Sequence, residues 1–405
     1  MPYKPSQKII NRYAKVLVNF ALGGGRGIRK GEVVYVVAYE YSKPLFVEIL
    51  RAITKAGGHA ISSYQPDEDH NFNVRRDFYV NAKEHQINFF PSSYFRGLVD
   101  QIDHYIFIQS ETDMEALKGI DSQKIVKRGQ SMKPYREWRE EKESRGRFTW
   151  VISLYGTAAM AREAGLSEAE YWREISNACF LNSSNPITKW KSVAKKLHHF
   201  KQRLNNLPIE KLHVNGPDME LWLKIGRDRI WNAGTGRNIP SFEVFTSPDW
   251  RGTEGWARFN QPVYTHGHLI TGIELRFEGG VIVEARAKRN QKLLKHMVSA
   301  PGGNKLGEFS LTDRRLSRIT KFMAETLYDE NIGGPNGNTH VAIGSSFRDC
   351  YRGNQAKVKK SELKKLGFND SAIHQDMVST APRTVTAYLK GNRTRVIYKD
   401  GKFVV

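Results

Sequence analysis

The feature that most constrains the fold of this 405-residue chain is a change in patterning near Pro208. Upstream, short runs of β-branched and aromatic residues alternate with segments of helical periodicity, which is typical of an α/β layer with a mostly parallel sheet. Downstream, alternating polar and apolar runs are separated by Gly and Asn turns, which predicts antiparallel hairpins. We therefore predict an N-terminal α/β domain over residues 1–207 and a C-terminal α+β domain with an antiparallel sheet over residues 208–405.

The individual elements follow from the same periodicities. Buried strands are predicted in the first half at residues 31–38, 105–110 and 148–155. Helices are predicted at residues 43–58, 166–180 and 188–207. The second helix follows Ser167, whose hydroxyl is suited to cap its first turn. In the second half, two helical insertions near residues 290–298 and 312–328 are expected to interrupt the strands.

The composition is that of a globular protein, with 40% hydrophobic and 26% charged residues. No apolar run is long enough to span a bilayer, and the N-terminal residues lack the pattern of a signal peptide. Cys179 and Cys350 form no CxxC pair, which argues against a disulfide framework or a thiolate zinc site. Together these features predict a cytoplasmic protein with no membrane partner.

The net charge of +21 would attract polyanions, so nucleic acid is one candidate partner. The basic residues are dispersed along the chain, with clusters at 357–365 and 393–402. We see no interleaved aromatic residues of the kind that stack on bases. We therefore favour a generally solvated basic surface, and nucleic-acid binding stays the alternative.

Several motifs resemble functional sites but fit structural roles better. The glycines at 23–27 precede a strand, whereas a phosphate loop follows a strand and opens a helix, so we predict a turn. His266 and His268 flank a glycine in a predicted hairpin and are expected to be a surface pair. His198 and His199 are adjacent on a helix and point in different directions, so they are a poor ligand pair.

A dispersed set of acidic and imidazole side chains lies beside glycine turns or within apolar runs: Glu254, Glu308, His340, His374 and Asp376. His374 and Asp376 are two residues apart, so in a strand they point to the same face. Such a pair suits a metal site, an acid–base pair or a plain hydrogen bond, and spacing alone does not show that the five converge. If they do, carboxylates and imidazoles without thiolate suit Zn²⁺, Co²⁺ or Mn²⁺. A bridging carboxylate would then hold two metal ions about 3.5–4 Å apart.

These residues lie in a series of ordered sequence blocks: NIPSFEVFTSPD (238–249), TEG with Glu254, LGE with Glu308, TLYDEN (326–331), THVAIG with His340, and FNDSAIHQD (368–376). The series resembles the thermophilic metalloaminopeptidase family that includes aminopeptidase T, aminopeptidase S and PepS. KPLFVEILRAITKAGG, TWVISLYGTAAMAREAGLS and NPITKW in the first half are similar too. The resemblance therefore covers nearly the whole chain.

The resemblance implies a two-domain subunit that removes N-terminal amino acids from peptides through a dinuclear metal site in its C-terminal domain. It also implies a homodimer whose sites face an enclosed cavity, which would favour short peptides as substrates. Carried over residue by residue, the predicted ligands of two divalent ions (Zn²⁺, Co²⁺ or Mn²⁺) are Glu254, Glu308, His340, His374 and Asp376. Either Glu254 or Glu308 is expected to act as the general base.

One position departs from the family pattern. The family has a tyrosine seven residues after its first histidine, and this chain has Phe347 there. Phenylalanine has no hydroxyl to donate, and losing one oxyanion donor typically costs ~10²–10³ in rate. Tyr351 is the alternative source of that hydroxyl. Besides a metalloaminopeptidase, the sequence thus allows a metal-binding homologue with weak or no peptidase activity.

Overall fold

The structure is a computed structural model that describes residues 3–69, 71–234, 236–265 and 267–405. The helices are α1 (Gln7–Val16), α2 (Leu22–Gly25), α3 (Lys43–Lys55), α4 (Val74–Asn81), α5 (Glu84–Ile87), α6 (Ser92–Gln101), α7 (Ser122–Ser131), α8 (Lys133–Ser144), α9 (Ala158–Glu163), α10 (Glu168–Ala178), α11 (Pro186–Asn205), α12 (Gln291–Ser299), α13 (Thr326–Asp329) and α14 (Lys360–Lys365). A π-helix spans Leu17–Ala21, and 3₁₀ turns span Glu40–Ser42 and Arg348–Cys350.

The strands are β1 (Val33–Tyr39), β2 (His59–Gln65), β3 (His104–Gln109), β4 (Thr149–Leu154), β5 (Ile209–Gly216), β6 (Met219–Lys224), β7 (Asn232–Ala233), β8 (Asn238–Ile239), β9 (Glu243–Thr246), β10 (Asp249–Phe259), β11 (Val263–Thr265), β12 (His268–Ile270), β13 (Ile273–Glu278), β14 (Val281–Arg286), β15 (Leu306–Thr312), β16 (Asn338–Gly344), β17 (His374–Ser379), β18 (Thr384–Leu389), β19 (Arg393–Lys399) and β20 (Lys402–Phe403).

A parallel sheet flanked by helices forms the first half of the molecule. Its strand order is β2-β1-β3-β4-β8, and each neighbouring pair is parallel. The sequence VVYVVAY of β1 is rich in β-branched residues, whose restricted side chains favour an extended backbone. β8 comes from beyond residue 207, so the second half of the chain supplies the last strand of the first sheet.

Antiparallel sheets form the second half, as predicted. The larger sheet has the order β14-β13-β10-β6-β5-β18-β19-β20, and a small β11-β12 hairpin lies apart from it. The other sheet has the order β17-β16-β15-β9-β7. Its strands β15 and β16 are buried along their whole length, so both faces of this sheet are covered. The predicted fold class, α/β followed by antiparallel α+β, is confirmed.

The hydrophobic core is continuous across the two halves of the chain. Trp190 of α11 stacks on Phe242 just before β9, with 5.3 Å between ring centroids. The predicted boundary near residue 207 falls in the connection between α11 and β5 and stays a prediction. In the described part of the chain, no helix is both long and apolar enough to cross a membrane.

Most of the local predictions are confirmed, with one clear error. The predicted first-half helices correspond to α3, α10 and α11, and Ser167 caps α10 in a reciprocal arrangement with Glu170. The helix predicted over 312–328 is wrong, because only its last residues, in α13, are helical. The Asp313 carboxylate accepts hydrogen bonds from the backbone N–H groups of Arg315 and Phe403, at 2.9 Å each. These bonds tie the segment after β15 to the C-terminal strand rather than to a helix.

The motifs that suited structural roles occupy unremarkable positions. The glycine-rich segment 23–27 includes the end of α2 and the two residues after it, and Gly23 and Gly24 have a non-helical backbone with φ of +64°. His198 and His199 are exposed on α11. His268 is half-buried in β12, and His266 lies outside the described residues.

Candidate metal centre

One face of the β17-β16-β15-β9-β7 sheet gathers acidic and imidazole side chains. Residues directly opposite each other in neighbouring strands share a face, and so do residues two apart within a strand. Asp376 is opposite Ala342, which is opposite Glu308. By this rule and the strand registers, one face carries Glu243 of β9, Glu308 of β15, His340 of β16, and His374 and Asp376 of β17.

The side chains on this face are close enough to share bound cations. His340 Nε2 lies 3.3 Å from Glu243 Oε2, 3.8 Å from Glu308 Oε1 and 4.0 Å from Asp376 Oδ1. His374 Nε2 lies 3.2 Å from Glu308 Oε2 and 3.7 Å from Asp376 Oδ1. Glu308 therefore directs one oxygen to each imidazole.

Backbone carbonyls orient both imidazoles. His340 Nδ1 lies 3.2 Å from the carbonyl oxygen of Glu330, and His374 Nδ1 lies 2.9 Å from that of Ser345. A ring that donates its Nδ1 proton to a carbonyl presents an unprotonated Nε2, the tautomer that binds a metal ion. In both residues Nε2 is the atom that faces the carboxylates.

Two carboxylates of the site, Glu243 and Glu330, were missed at the sequence level. The Glu243 carboxylate accepts hydrogen bonds from Ser241 Oγ at 3.3 Å and Ser310 Oγ at 3.1 Å. Glu330 offers an oxygen within 4.8 Å of ligand atoms of His340 and Asp376. Both glutamates lie in sequence blocks already singled out, NIPSFEVFTSPD and TLYDEN. The first block was passed over in favour of Glu254 in the block that follows it, and no ligand was assigned to the second.

The prediction that Glu254 is a metal ligand or the general base is not compatible with this geometry. Glu254 lies in β10 of the eight-stranded sheet, paired with Trp222 of β6, and is exposed. Its Oε1 accepts a hydrogen bond from the backbone N–H of Gly279 at 2.8 Å. Glu254 belongs to a different sheet, and the glutamate that lies beside His340 is Glu243.

Phe347 lies at the site, whereas Tyr351 points away from it. The Phe347 ring is 4.7 Å from the His374 ring and 5.4 Å from the Phe245 ring, and its backbone N–H donates to Ser247 Oγ. Tyr351 packs with an apolar cluster around Phe368 and does not line the cavity described below. Tyr351 therefore does not supply the hydroxyl that Phe347 lacks.

The electrostatics of the site indicate an excess of buried negative charge. Burial and the nearby Asp376 raise the pKa of Glu330 well above its usual value. Burial by itself would lower the pKa of His374, but Asp376 and Glu308 raise it to about 9. Burial would raise the pKa of Glu308, yet hydrogen bonds with His340 and His374 lower it to about 2. Such a group is stabilised by protons or by cations.

The site opens into a cavity of about 530 Å³ between this sheet and the parallel sheet of the first half. Its floor includes aromatic and apolar side chains of β3 and β4, and one side is formed by α8. The lining residues beyond the metal site include Tyr105, Phe107, Gln109, Trp150, Ile152, Arg136, Arg139, Glu140, Glu143, Arg237 and Glu325.

A buried carboxylate–imidazole group in the wall of a large cavity is typical of a metal-dependent hydrolase. The sequence profile of the thermophilic metalloprotease (M29) family matches residues 6–403. The chain belongs to this family.

Curated relatives extend over most or all of the chain. Aminopeptidase AmpS of Bacillus subtilis (strain 168) is 27% identical over 427 residues, covering 98% of each chain. Aminopeptidase T of Thermus thermophilus is 29% identical over 319 residues, covering 73% of this chain and 75% of the relative. The solved structure of wild-type AmpT from Thermus thermophilus matches with a TM-score of 0.80 at 22% identity, covering 98% of this chain and all of that chain. That structure has the same fold.

Proposed function

We propose that this protein is a metal-dependent aminopeptidase that removes N-terminal residues from peptides at a dinuclear site. The observation that carries this proposal is the convergence of Glu243, Glu308, His340, His374 and Asp376 on one sheet face. The names of the curated relatives support the peptide substrate and the position of cleavage.

The donor set fits two divalent cations. Four carboxylates, Glu243, Glu308, Glu330 and Asp376, surround two imidazoles, so with neutral imidazoles the group carries four negative charges. Two divalent ions would balance that charge, which is otherwise costly to bury. Oxygen and imidazole donors without thiolate suit Zn²⁺, Co²⁺ or Mn²⁺. When bound, such ions acidify a water molecule and polarise the scissile carbonyl.

Within this arrangement Glu330 is suited to hold and move a proton. Its Oε1 accepts hydrogen bonds from Asn238 Nδ2 and Asn331 Nδ2, both at 3.3 Å. Its Oε2 accepts no hydrogen bond within the described chain. A carboxylate that is anchored through one oxygen and has a free, basic second oxygen suits the role of a general base. We assign that role to Glu330 in place of Glu254.

Turnover of aminoacyl-p-nitroanilides by the purified protein, supplied separately with Co²⁺, Zn²⁺ and Mn²⁺, tests the proposal. We expect cleavage with at least one metal and its loss after chelation. If roughly two ions bind per chain and no metal supports turnover, the protein is instead a metal-binding homologue without peptidase activity. Phe347, which lies against His374 without a hydroxyl, is the residue that would account for such a result.

The remaining expectations stay predictions. A homodimer is tested by sedimentation velocity, and a cytoplasmic location by cell fractionation. Nucleic-acid binding rests on the net charge alone, and its affinity would fall steeply with salt concentration.

A further inference from the structure

Three side chains of β3 mark the length of the cavity floor, which can be compared with the length of an extended peptide. Tyr105, Phe107 and Gln109 alternate along β3 and all line the cavity. At about 3.3 Å per residue, they span roughly 13 Å. Phe107 is level with Asn238 in the strand register, and Asn238 donates a hydrogen bond to Glu330 of the metal site. The candidate metal site is thus nearest the middle of β3, with Gln109 on one side and Tyr105 on the other.

The Gln109 end of the cavity offers hydrogen-bond acceptors. Gln109 Nε2 donates to Glu325 Oε1 at 3.0 Å, and both residues line the cavity. Glu325 is only 7% exposed. Gln109 Oε1 is buried and has no hydrogen-bond partner within the described residues. A carboxylate beside an unpaired amide oxygen suits a cationic donor such as the free ammonium of a peptide.

The Tyr105 end offers a guanidinium whose donors are free. Arg139 of α8 is stacked over two aromatic rings, 5.1 Å from the centroid of Tyr105 and 4.6 Å from that of Tyr135. Arg139 makes no hydrogen bond or ion pair with any residue that the structure describes, and its buried Nε has no partner. Stacking therefore holds the planar group in place without using its N–H donors.

The charged neighbours of Arg139 along the cavity are already engaged. Arg136 donates to backbone carbonyls of the loop before β17. Glu143 accepts from Arg237 and from the Trp150 indole. Glu140 lies 3.7 Å from Arg136. Among the described residues of this wall, Arg139 is thus the cation that has no ion-pair partner. This holds even though Glu140 and Glu143 of the same helix line the same cavity.

We propose that Arg139 binds a carboxylate of the peptide on the leaving-group side of the scissile bond, and so selects short peptides with a free C-terminus. This inference rests on the proposed aminopeptidase function. Three extended residues span about 10–11 Å. This length fits within the roughly 13 Å from Tyr105 to Gln109, with the peptide ammonium near Glu325 and its carboxylate at Arg139. An acidic side chain after the scissile bond is the other possible source of that carboxylate.

The test compares peptides that differ in a single carboxylate. Wild-type protein loaded with metal is given Leu-Ala-Ala and Leu-Ala-Ala-amide, and separately Leu-Glu-amide and Leu-Gln-amide. A charge-assisted hydrogen bond is worth about 1.5–3 kcal/mol, so we expect kcat/KM to be roughly 10–100-fold higher for the peptide carrying the carboxylate. Arg139→Met should abolish this ratio by lowering kcat/KM for the peptide that carries the carboxylate. Arg139→Lys keeps the charge but not the planar fork and should retain part of the ratio.

Arg145→Met is the matched control, because Arg145 directly follows the same helix, is exposed, pairs with Glu141 and does not line the cavity. Thermal unfolding of each variant monitors folding. Calorimetric binding of Leu-Ala-Ala and Leu-Ala-Ala-amide to metal-free protein gives a readout that needs no turnover.

The four peptides identify the source of the carboxylate and separate the two proposals. An Arg139-dependent preference in the first pair identifies the C-terminal carboxylate, and one in the second pair identifies the side chain. Equal rates for both members of each pair, or equal losses on Arg139→Met, would overturn the role of Arg139. If wild-type protein cleaves no peptide with any metal and the calorimetric preference for the free acid is intact, the aminopeptidase proposal fails and the carboxylate site stands.

Discussion

At the residue scale, Glu308 holds the candidate metal centre together. Its two carboxylate oxygens face the Nε2 atoms of His340 and His374, at 3.8 and 3.2 Å. Because it is nearly fully buried, its charge has no access to solvent and depends on these neighbours. Glu243 is the third carboxylate near His340 Nε2, whereas Glu254 lies in another sheet. Variants at these two positions therefore test which glutamate belongs to the site.

Replacing Glu243 with Gln removes one anionic oxygen and keeps the shape of the side chain. We expect Glu243→Gln to lower the bound metal measured by elemental analysis, and to lower turnover of aminoacyl-p-nitroanilides by at least ~10²-fold. Glu254→Gln is the matched control, because Glu254 is exposed on another sheet. Normal metal content in Glu243→Gln together with a loss in Glu254→Gln would reverse the assignment.

Replacing Phe347 with Tyr restores a hydroxyl beside the imidazole of His374. Since the ring centroids are 4.7 Å apart, the new hydroxyl is held near the metal site and can donate to a developing oxyanion. We expect kcat to rise by about 10-fold, less than the ~10²–10³ of a fully preorganised donor. An unchanged kcat, with unchanged metal content, would show that this enzyme stabilises the oxyanion by other groups.

At the element scale, helix α8 of the first half supports a strand of the second. Arg136 of α8 donates hydrogen bonds to the carbonyl oxygens of Ser371 and Ala372, at 2.9 and 3.1 Å. These residues immediately precede β17, which begins with His374. The helix therefore contacts the segment before a strand whose first and third residues belong to the candidate metal site.

Arg136→Ala releases these two carbonyls from α8. Because the Arg136 side chain is about a third exposed, we expect a loss of only about 1 kcal/mol in unfolding free energy, measured with urea. Metal affinity should fall by about 10-fold, as for other groups that orient metal ligands. Arg145→Ala, directly after the same helix, serves as the control and should change neither. Unaltered metal affinity in Arg136→Ala would show that the contact between α8 and the segment before β17 does not position the metal ligands.

At the scale of the whole molecule, the cavity is shared between the two halves of the chain. β3, β4 and α8 supply one wall, and the sheet containing β9, β15, β16 and β17 supplies the other. The hydrophobic core is continuous between the two halves, so the candidate metal site and the wall that contains Arg139 are held in one packed unit. The chain carries a net charge of +21, whereas the candidate site gathers four carboxylates around two imidazoles.

Removing the metal ions should make stability depend on pH in a defined direction. In the metal-free protein Asp376 and Glu308 raise the pKa of His374 to about 9, against an ordinary value of about 6.5. A raised pKa favours the folded state while His374 is protonated, so this stabilisation is complete below pH ~6.5 and is lost as pH rises through about 9.

We expect the unfolding free energy of the chelated protein to fall by roughly 1–3 kcal/mol between pH 6.5 and pH 9. In the metal-loaded protein the imidazole binds as the neutral form, so the fall should disappear or reverse. Urea titrations at the two pH values, with chelator and with Zn²⁺, measure both. His374→Ala should lack the fall in the chelated protein, and its persistence there would assign the effect to another group.

The sequence by itself determined the types of the elements and one face of the site. Alternation within a strand is local, so it correctly placed His374 and Asp376 together, and the β-branched runs and the Ser167 cap marked strands and a helix. The ordered blocks likewise indicated the family, because each block carries its residues in a fixed local spacing.

Only the tertiary structure decided which glutamates meet the imidazoles, that Tyr351 faces away, and that Arg139 lines the same cavity as the metal site. Glu243 and Glu254 are close in sequence and both lie in strands, but those strands belong to different sheets. Strand partnership depends on backbone hydrogen bonds between residues far apart in the chain, and no local spacing encodes it. The chemistry of the site is therefore set by register and by sheet membership.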